Sequence, residues 1–218
     1  MEIKVVRQIL EWNEDCSNEI KDLTKEKKIF ILNVMGSPGA GKTTLITRLI
    51  AALSESYRVG VIEGDIAGQI DADKIGALGI PVVQLNTDGA CHIEAMAIQH
   101  ILQYFDLDNI DVLFIENIGN LVCPAEFNIG EDCRLAILSV PEGDDKVEKY
   151  PLLFATTDLL AVNKYDMKEY FEFDIEKVER LCREMNPKAQ AFRVSSRTGD
   201  GIGELAAVLK AKIAEKCN

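Results

Sequence analysis

Short, continuous apolar runs recur along the chain from residue 29 onward, separated by stretches with helical periodicity. Runs that lack polar alternation are typical of strands buried on both faces, as in parallel sheets. The sequence predicts a strand in each of these runs: IFILNVM, VGVIEGD, VVQL, VLFIEN, RLAILSV, DLLAVNK and AFRVSS. We therefore expect a mostly parallel central sheet.

Amphipathic helices are predicted between the strands, because apolar residues recur there at three- and four-residue spacing. The stretches with this spacing are TTLITRLIAAL, IEAMAIQHILQYF, IEKVERLCREM and GELAAVLKAKIAEK. Strands that alternate with helices form right-handed crossovers, which place helices on both faces of a parallel sheet. The predicted fold class is therefore α/β, and its ligands should bind at the carboxyl ends of the strands.

The chain before the first predicted strand has a different pattern. Apolar residues such as Ile9 and Trp12 recur at helical spacing among charged residues. This pattern predicts one or two amphipathic helices over residues 1–24. We expect an N-terminal helical extension over residues 1–27 and one compact domain over residues 28–218, since a chain of this length can bury a sizeable core in a single domain.

A glycine-rich loop follows the first predicted strand. Its sequence, GSPGAGKT, fits the P-loop pattern GxxxxGK[ST], with a strand before it and a helix after it. Glycines let backbone amides face the phosphates, and the helix adds its positive end. Lys42 is expected to act as the catalytic charge on the β- and γ-phosphates, and Thr43 to offer its hydroxyl to Mg²⁺. The residues predicted to hold the nucleotide phosphates are Gly36, Ser37, Pro38, Gly39, Ala40, Gly41, Lys42, Thr43 and Thr44.

Two further strand ends are predicted to select the nucleotide base. The first, NKYD, closes the run DLLAV. A carboxylate can accept hydrogen bonds from N1–H and the amino group of guanine, whereas adenine offers no such pair of donors. Asp166 therefore predicts GTP and GDP as ligands, with Asn163 and Lys164 bracing the base. The second strand end, Ser195-Ser196, resembles the small-residue loop behind the guanine carbonyl in GTPases.

Carboxylates at two other strand ends are candidates for a Mg²⁺ site. Asp65 closes the run VGVIEGD, and Glu116 follows VLFI. Mg²⁺ prefers oxygen ligands and keeps several waters, so Thr43 with one or two carboxylates is a sufficient contribution from the protein. We expect Asp65 to lie beside the metal and position the attacking water as a catalytic residue, with Glu116 nearby.

Cys91, His92 and Cys123 are the candidates for a second metal site. Cys91-His92 precedes a predicted helix, and Cys123 follows Glu116 on a loop that should respond to the γ-phosphate. Thiolate and imidazole ligands suit Ni²⁺ or Zn²⁺ better than Mg²⁺ or Ca²⁺. Three ligands are one or two short of a closed site, which a symmetric homodimer could complete by presenting the same loops twice.

The other cysteines and the second histidine are expected to be structural. His100 lies mid-helix with no cysteine nearby. No CxxC pair occurs, and six cysteines in a chain with an adequate core do not indicate a disulfide framework. The cysteines predicted not to bind metal are Cys16, Cys133, Cys182 and Cys217.

Composition changes the expected partners. The 218 residues include 24 Lys+Arg and 36 Asp+Glu, which gives a net charge of −12. Nucleic acid and anionic membranes are therefore disfavoured as partners, because both require clustered basic residues. No apolar run approaches the ~20 residues that span a bilayer, and the N-terminal stretch is acidic where a signal peptide would be apolar. The sequence predicts a cytoplasmic protein.

Together these motifs resemble the HypB family of hydrogenase maturation GTPases, which are P-loop GTPases related to the urease accessory GTPase UreG. The resemblance covers about residues 28–215. It rests on GSPGAGKT, VIEGDIAGQIDADKIGALGIPVVQLNT, the Cys91-His92 pair, ENIGNLVCPAEFNIGE and NKYD. In UreG the metal ligands form a contiguous Cys-Pro-His, whereas Cys123-Pro124 is followed here by Ala125, which favours the hydrogenase branch.

The resemblance implies slow, Mg²⁺-dependent hydrolysis of GTP and assistance in nickel insertion into [NiFe]-hydrogenase. It also implies a homodimer promoted by GTP, with Ni²⁺ or Zn²⁺ held between subunits by Cys91, His92 and Cys123. The implied partners are other hydrogenase maturation proteins and the hydrogenase large subunit. The choice between the two metals stays open, as does a contact of Lys146 or Lys149 with nucleotide across the dimer.

Other functions stay open on the sequence alone. A metal-independent regulatory GTPase would use Cys91 and Cys123 only for packing. A small-molecule phosphotransferase would use the same phosphate loop, although NKYD argues against it because many such kinases use ATP. Passive metal storage is least favoured, since the chain has two histidines and no histidine-rich tract.

Overall fold

The computed structural model describes residues 2–65, 75–86 and 89–217, without the side chains of residues 2–9 and 65. The strands are β1 (Phe30–Gly36), β2 (Val59–Asp65), β3 (Val82–Asn86), β4 (Val112–Glu116), β5 (Cys133–Ser139), β6 (Leu159–Asn163) and β7 (Gln190–Arg193). They form one parallel sheet in the order β3-β2-β4-β1-β5-β6-β7. The predicted α/β fold with a parallel sheet is confirmed.

The helices lie on both faces of this sheet, as predicted. They are α1 (Glu2–Lys27), α2 (Lys42–Leu53), α3 (Ala95–Leu102), α4 (Cys123–Glu126), α5 (Lys146–Lys149), α6 (Pro151–Thr156), α7 (Ile175–Met185) and α8 (Ile202–Cys217). Short 3-10 helices span Leu107–Asn109, Val140–Glu142 and Tyr165–Tyr170.

The central strand β1 contributes to the core on both faces, because successive side chains of a strand point in opposite directions. Leu32 packs in the layer that contains Leu45 of α2. Its neighbour Ile31 packs in the opposite layer with Ile98 of α3. This two-sided burial explains why the strand reads as a continuous apolar run rather than an alternating one.

The N-terminal segment forms the single helix α1, within the prediction of one or two helices. Its Ile20 is buried in the same layer as α3. Asn13 donates a hydrogen bond to the Asn128 carbonyl (2.8 Å) and accepts one from the Ala95 amide (2.9 Å). The helix α1 therefore packs beside α3 on one face of the sheet. The predicted domain boundary between residues 27 and 28 stays a prediction.

Among the described residues, no helix is both long and apolar enough to cross a lipid bilayer.

Replacing Ile20 with alanine should destabilise the whole fold, because the side chain is 1% exposed and fills the space between α1 and the sheet. We expect a loss of about 2–5 kcal/mol in the free energy of unfolding, measured by chemical denaturation. Leu10→Ala is the control on the same helix, since Leu10 is 46% exposed and its loss should stay within about 0.5 kcal/mol. An equal, small effect of both changes would show that α1 is not part of the cooperative core.

Candidate functional site

The phosphate loop connects β1 to α2 and depends on the conformational freedom of glycine. Gly39 and Gly41 have φ values of 76° and 96°, in the left-handed region that other residues avoid. A Cβ atom on Gly41 would also lie 2.6 Å from Asn163 Nδ2. The loop therefore needs glycine at this position both for its backbone and for its contact with the next functional segment.

Lys42 is buried at the first position of α2, with its ammonium group turned back toward the loop. Its Nζ lies 3.4 Å from the carbonyl oxygens of Gly36 and Ser37. The amino-terminal end of α2 adds a partial positive charge at the same place. The loop thus presents a cation and a helix terminus to an anion bound in its concave side.

Thr43 and Glu116 meet at the carboxyl edge of the sheet. The Thr43 hydroxyl donates a hydrogen bond to Glu116 Oε1 (2.9 Å). Glu63 lies opposite Glu116 in the β2–β4 register, and both carboxylates are buried. Asp65 ends β2, but its side chain lies outside the described residues. The described part of the edge therefore offers hydroxyl and carboxylate oxygens, which are the ligand type that Mg²⁺ prefers.

The residues after β6 are tied to the phosphate loop. Buried Asn163 donates to the Ala40 carbonyl (2.9 Å), and its Oδ1 accepts from the amide and hydroxyl of Ser196 (3.0 and 2.9 Å). Lys164 has a φ of 56° and donates from Nζ to the Gly39 carbonyl (2.7 Å). These contacts hold two sequence-distant loops in one arrangement.

Asp166 and Ser195 form the other half of this arrangement. The Ser195 hydroxyl donates to Asp166 Oδ1 (2.6 Å), which orients an otherwise exposed carboxylate. A cavity of about 250 Å³ opens between these loops. It is lined by Gly41, Thr44, Asn163, Lys164, Asp166, Met167, Ser196 and Arg197. The structure thus brings four of the predicted base-binding residues to one concave surface beside the phosphate loop, with Ser195 behind Asp166.

Cys91, His92 and Cys123 form a compact cluster although they come from two segments: the first two lie in the loop before α3, and Cys123 is the first residue of α4 rather than part of a loop. The two Sγ atoms are 3.0 Å apart, and Cys91 Sγ lies 3.5 Å from His92 Nδ1. All three ligand atoms lie within 4.8 Å of one another. His92 stacks on the ring of Phe127 at a centroid distance of 4.0 Å. Its Nε2 is buried without a hydrogen-bond partner among the described residues and lies 3.7 Å from Glu94 Oε1. Two thiols and an imidazole this close together fit a soft metal ion.

The protonation of Cys123 reflects this crowding. The hydrogen bond with the Cys91 thiol raises the pKa of Cys123, and burial adds to the rise. A metal ion would replace these thiol protons, because thiolates are the ligands.

The cysteines predicted to be structural lie elsewhere. Burial raises the pKa of Cys133 and of Cys182 to about 12. Cys16 packs at the margin of the α1–α3 layer, and the Cys217 thiol donates to the Lys28 carbonyl (3.1 Å). His100 is exposed on α3 beside Gln103 and Tyr104 rather than in the core. Their lack of a metal-binding role stays a prediction.

Sequence reasoning did not identify several residues that shape the site. Arg48 donates to the carbonyls of Ser196 and Arg197 (both 2.9 Å), so it ties α2 to the loop after β7. Phe127 supports His92, and Asn120 contacts both the phosphate-loop strand and the cysteine loop. Their types are common on protein surfaces, and no local spacing marks them.

The fold and site define a P-loop nucleotide-binding protein with a cysteine and histidine cluster at the nucleotide-binding edge of its sheet. Residues 30–193 match the CobW/HypB/UreG nucleotide-binding domain. The chain belongs to the CobW/HypB/UreG family and, within it, to the HypB hydrogenase maturation factors. The resemblance stated from the motifs is thereby confirmed.

Relatives and solved structures agree on this assignment. The chain is 43% identical over 202 residues to hydrogenase maturation factor HypB of Azotobacter vinelandii, covering 93% of this chain and 67% of that protein. It is 35% identical to a probable HypB of Methanocaldococcus jannaschii, covering 98% and 96%. The crystal structure of HypB from Archaeoglobus fulgidus is similar with a TM-score of 0.88 at 34% identity, covering 94% of this chain and 100% of that one. HypB from Helicobacter pylori, in complex with nickel, has a TM-score of 0.87 at 36% identity, covering 94% and 97%.

Thiol alkylation at pH 8 should separate the exposed cluster from the buried cysteines. With a pKa of about 12, Cys133 and Cys182 hold only about one thiolate in ten thousand at this pH, and burial also blocks reagent. We expect iodoacetamide to label exposed Cys91 in the native protein and to reach these two cysteines only in denaturant, as read by peptide mass spectrometry. Equal native labelling of Cys133 and Cys91 would contradict the described packing.

Proposed function

We propose that this chain is a Mg²⁺-dependent GTPase that hydrolyses GTP slowly and uses its nucleotide state to control a Ni²⁺ or Zn²⁺ ion held by Cys91, His92 and Cys123. The observation that carries the proposal is the convergence of these three side chains beside the phosphate loop. Hydrolysis of bound nucleotide would then loosen the metal toward an acceptor protein.

Binding of GTP is supported by the phosphate loop and the cavity next to it. Lys42, Thr44 and the backbone N–H groups of residues 36–43, apart from Pro38, which has none, would hold the phosphates. Asp166, oriented by Ser195, would accept from guanine N1–H and its amino group, while Asn163, Lys164 and Ser196 brace the base. Adenine lacks that donor pair, which favours GTP and GDP as ligands.

Hydrolysis is assigned to the same edge. Thr43, Glu116 and Asp65 would hold Mg²⁺, which would supply positive charge to stabilise the negative charge on the phosphate oxygens. Lys42 would stabilise charge on the β- and γ-phosphates, and Asp65 would position the attacking water. A Thr43 hydroxyl already aligned on Glu116 by a 2.9 Å hydrogen bond supports this grouping.

The metal site is supported by its chemistry and by its position. Two thiols and an imidazole are soft ligands that suit Ni²⁺ and Zn²⁺. Because three ligands leave a four-coordinate ion incomplete, a GTP-promoted homodimer would supply the remaining ligands from the partner's copy of the cluster. The solved HypB from Helicobacter pylori was crystallised in complex with nickel.

The cellular role follows from the family. We propose that the metal is nickel destined for [NiFe]-hydrogenase, received or delivered through other maturation proteins and the hydrogenase large subunit, in the cytoplasm. The net charge of −12 favours such protein partners over nucleic acid or anionic membranes. A metal-independent regulatory GTPase would not require the proposed metal ligands to lie together near the phosphate loop. Their placement therefore favours the metal-controlling GTPase.

Asp166→Asn should weaken binding of GDP by about 10- to 100-fold, because it replaces a charged acceptor of two hydrogen bonds. It should also improve binding of xanthosine diphosphate, which offers an oxygen where guanine has its amino group. Titration with fluorescent nucleotides measures both changes, with Asp200→Asn as the control on a nearby exposed carboxylate. Tight binding of ADP by the unchanged protein would contradict the guanine assignment.

Cys123→Ala should abolish stoichiometric Ni²⁺ or Zn²⁺ binding and remove any metal-dependent rise in dimer content. The measurements are metal stoichiometry after dialysis and sedimentation velocity with and without a GTP analogue. Cys217→Ala is the matched control, since this cysteine lies outside the cluster. Unchanged metal binding by Cys123→Ala would refute the site and leave the metal-independent GTPase as the better interpretation.

A further inference from the structure

Asn120 lies where the phosphate loop and the two cysteine-bearing loops meet. It follows β4 by a few residues and precedes Cys123. Its backbone contacts the phosphate loop. Its side chain contacts the segments that carry the two cysteines.

The backbone contacts connect Asn120 to the phosphate loop. Asn120 forms an isolated antiparallel bridge with Gly36, the last residue of β1. The residue before it, Gly119, is pressed against Pro38, since a Cβ atom at Gly119 would lie 2.6 Å from Pro38 Cγ and 2.9 Å from its backbone nitrogen. A movement of Pro38 toward Gly119 would therefore displace Gly119 and its neighbour Asn120, because no free space separates Pro38 from Gly119.

The side-chain contacts connect Asn120 to both cysteine-bearing segments. Its Nδ2 donates to the Cys91 carbonyl (3.3 Å), and its Oδ1 accepts from the Val122 amide (2.8 Å), which sets the turn just before Cys123. One amide group therefore spans the loop after β3 and the loop after β4.

We propose that Asn120 is the positioning residue through which the occupancy of the phosphate loop sets the spacing of the Cys91 and Cys123 thiols, and hence the affinity of the metal site. The inference rests on the proposed function and names the residue that carries its regulation. Coupling between two binding sites is reciprocal, so the same residue should also carry the effect of metal on nucleotide binding. Asn120 need touch neither nucleotide nor metal for this role.

The experiment measures metal affinity in two nucleotide states. Zn²⁺ is titrated against a chelating dye in the presence of GDP and then of a non-hydrolysable GTP analogue, and the ratio of the two dissociation constants is the readout. We expect a ratio in the typical range for coupled sites, about 5- to 150-fold, in the unchanged protein. Asn120→Ala should reduce the ratio to within about threefold of one, while nucleotide affinity without metal is retained.

Two further variants make the result specific. Asn128→Ala removes a loop asparagine whose side chain, among the residues that the structure describes, hydrogen-bonds to the Gly130 amide alone, so it should leave the ratio unchanged. Asn120→Asp keeps the acceptor for Val122 but removes the donor to Cys91, so it should also lower the ratio. It serves as the test if Asn120→Ala does not fold.

The outcomes separate this inference from the function on which it rests. A wild-type ratio in both Asn120 variants would overturn the inference and leave the metal site intact. Equal metal affinity of the unchanged protein in both nucleotide states would overturn it as well. Absence of Zn²⁺ and Ni²⁺ binding by the unchanged protein would instead refute the proposed metal function itself, and that result is seen before any variant is made.

Discussion

The central position of β1 in the parallel sheet is the constraint on which the other features of the molecule depend. Its carboxyl end lies between β4 and β5, with Val34 opposite Glu116 and Gly36 opposite Ile137. The chain must turn there into α2, and a glycine-rich loop makes that turn with the Lys42 ammonium group folded back over it. Glu116, at the end of β4, contacts Thr43 at this edge, and Asn120, which precedes Cys123 in the chain, bridges to Gly36 of the phosphate loop.

A buried amide then links the two halves of the proposed nucleotide site. Asn163 is 1% exposed. Burying its side-chain amide without hydrogen-bond partners would lower the free energy of unfolding. It is satisfied from both sides, by the Ala40 carbonyl and by Ser196. The hydrogen bonds that offset the burial of this amide also hold the phosphate loop and the base-side loops in fixed positions. The same bonds therefore stabilise the fold and preorganise the proposed nucleotide site.

The chain's acidity and its metal cluster act at different ranges. A net charge of −12 attracts cations broadly but without selectivity, and salt screens it over about 10 Å. Selection of a soft metal rests instead on two sulfur atoms 3.0 Å apart and an imidazole held against Phe127. The phosphate loop is equally local, because Lys42 and the end of α2 create a positive site within an acidic protein.

Features that depend on neighbours in the chain were determined by the sequence itself. Strands buried on both faces must be apolar throughout, and a phosphate loop must keep its glycines and Lys42 at fixed spacing, so both are visible as patterns. The sequence already grouped Cys91 with Cys123, but the tertiary structure alone decided their 3.0 Å Sγ–Sγ distance and the meeting of other distant groups: Arg48 with the loop after β7, and α1 with α3 through Ile20 and Asn13. These contacts depend on strand order and on how helices pack across the sheet, and such packing leaves no periodic trace in the residues that it brings together.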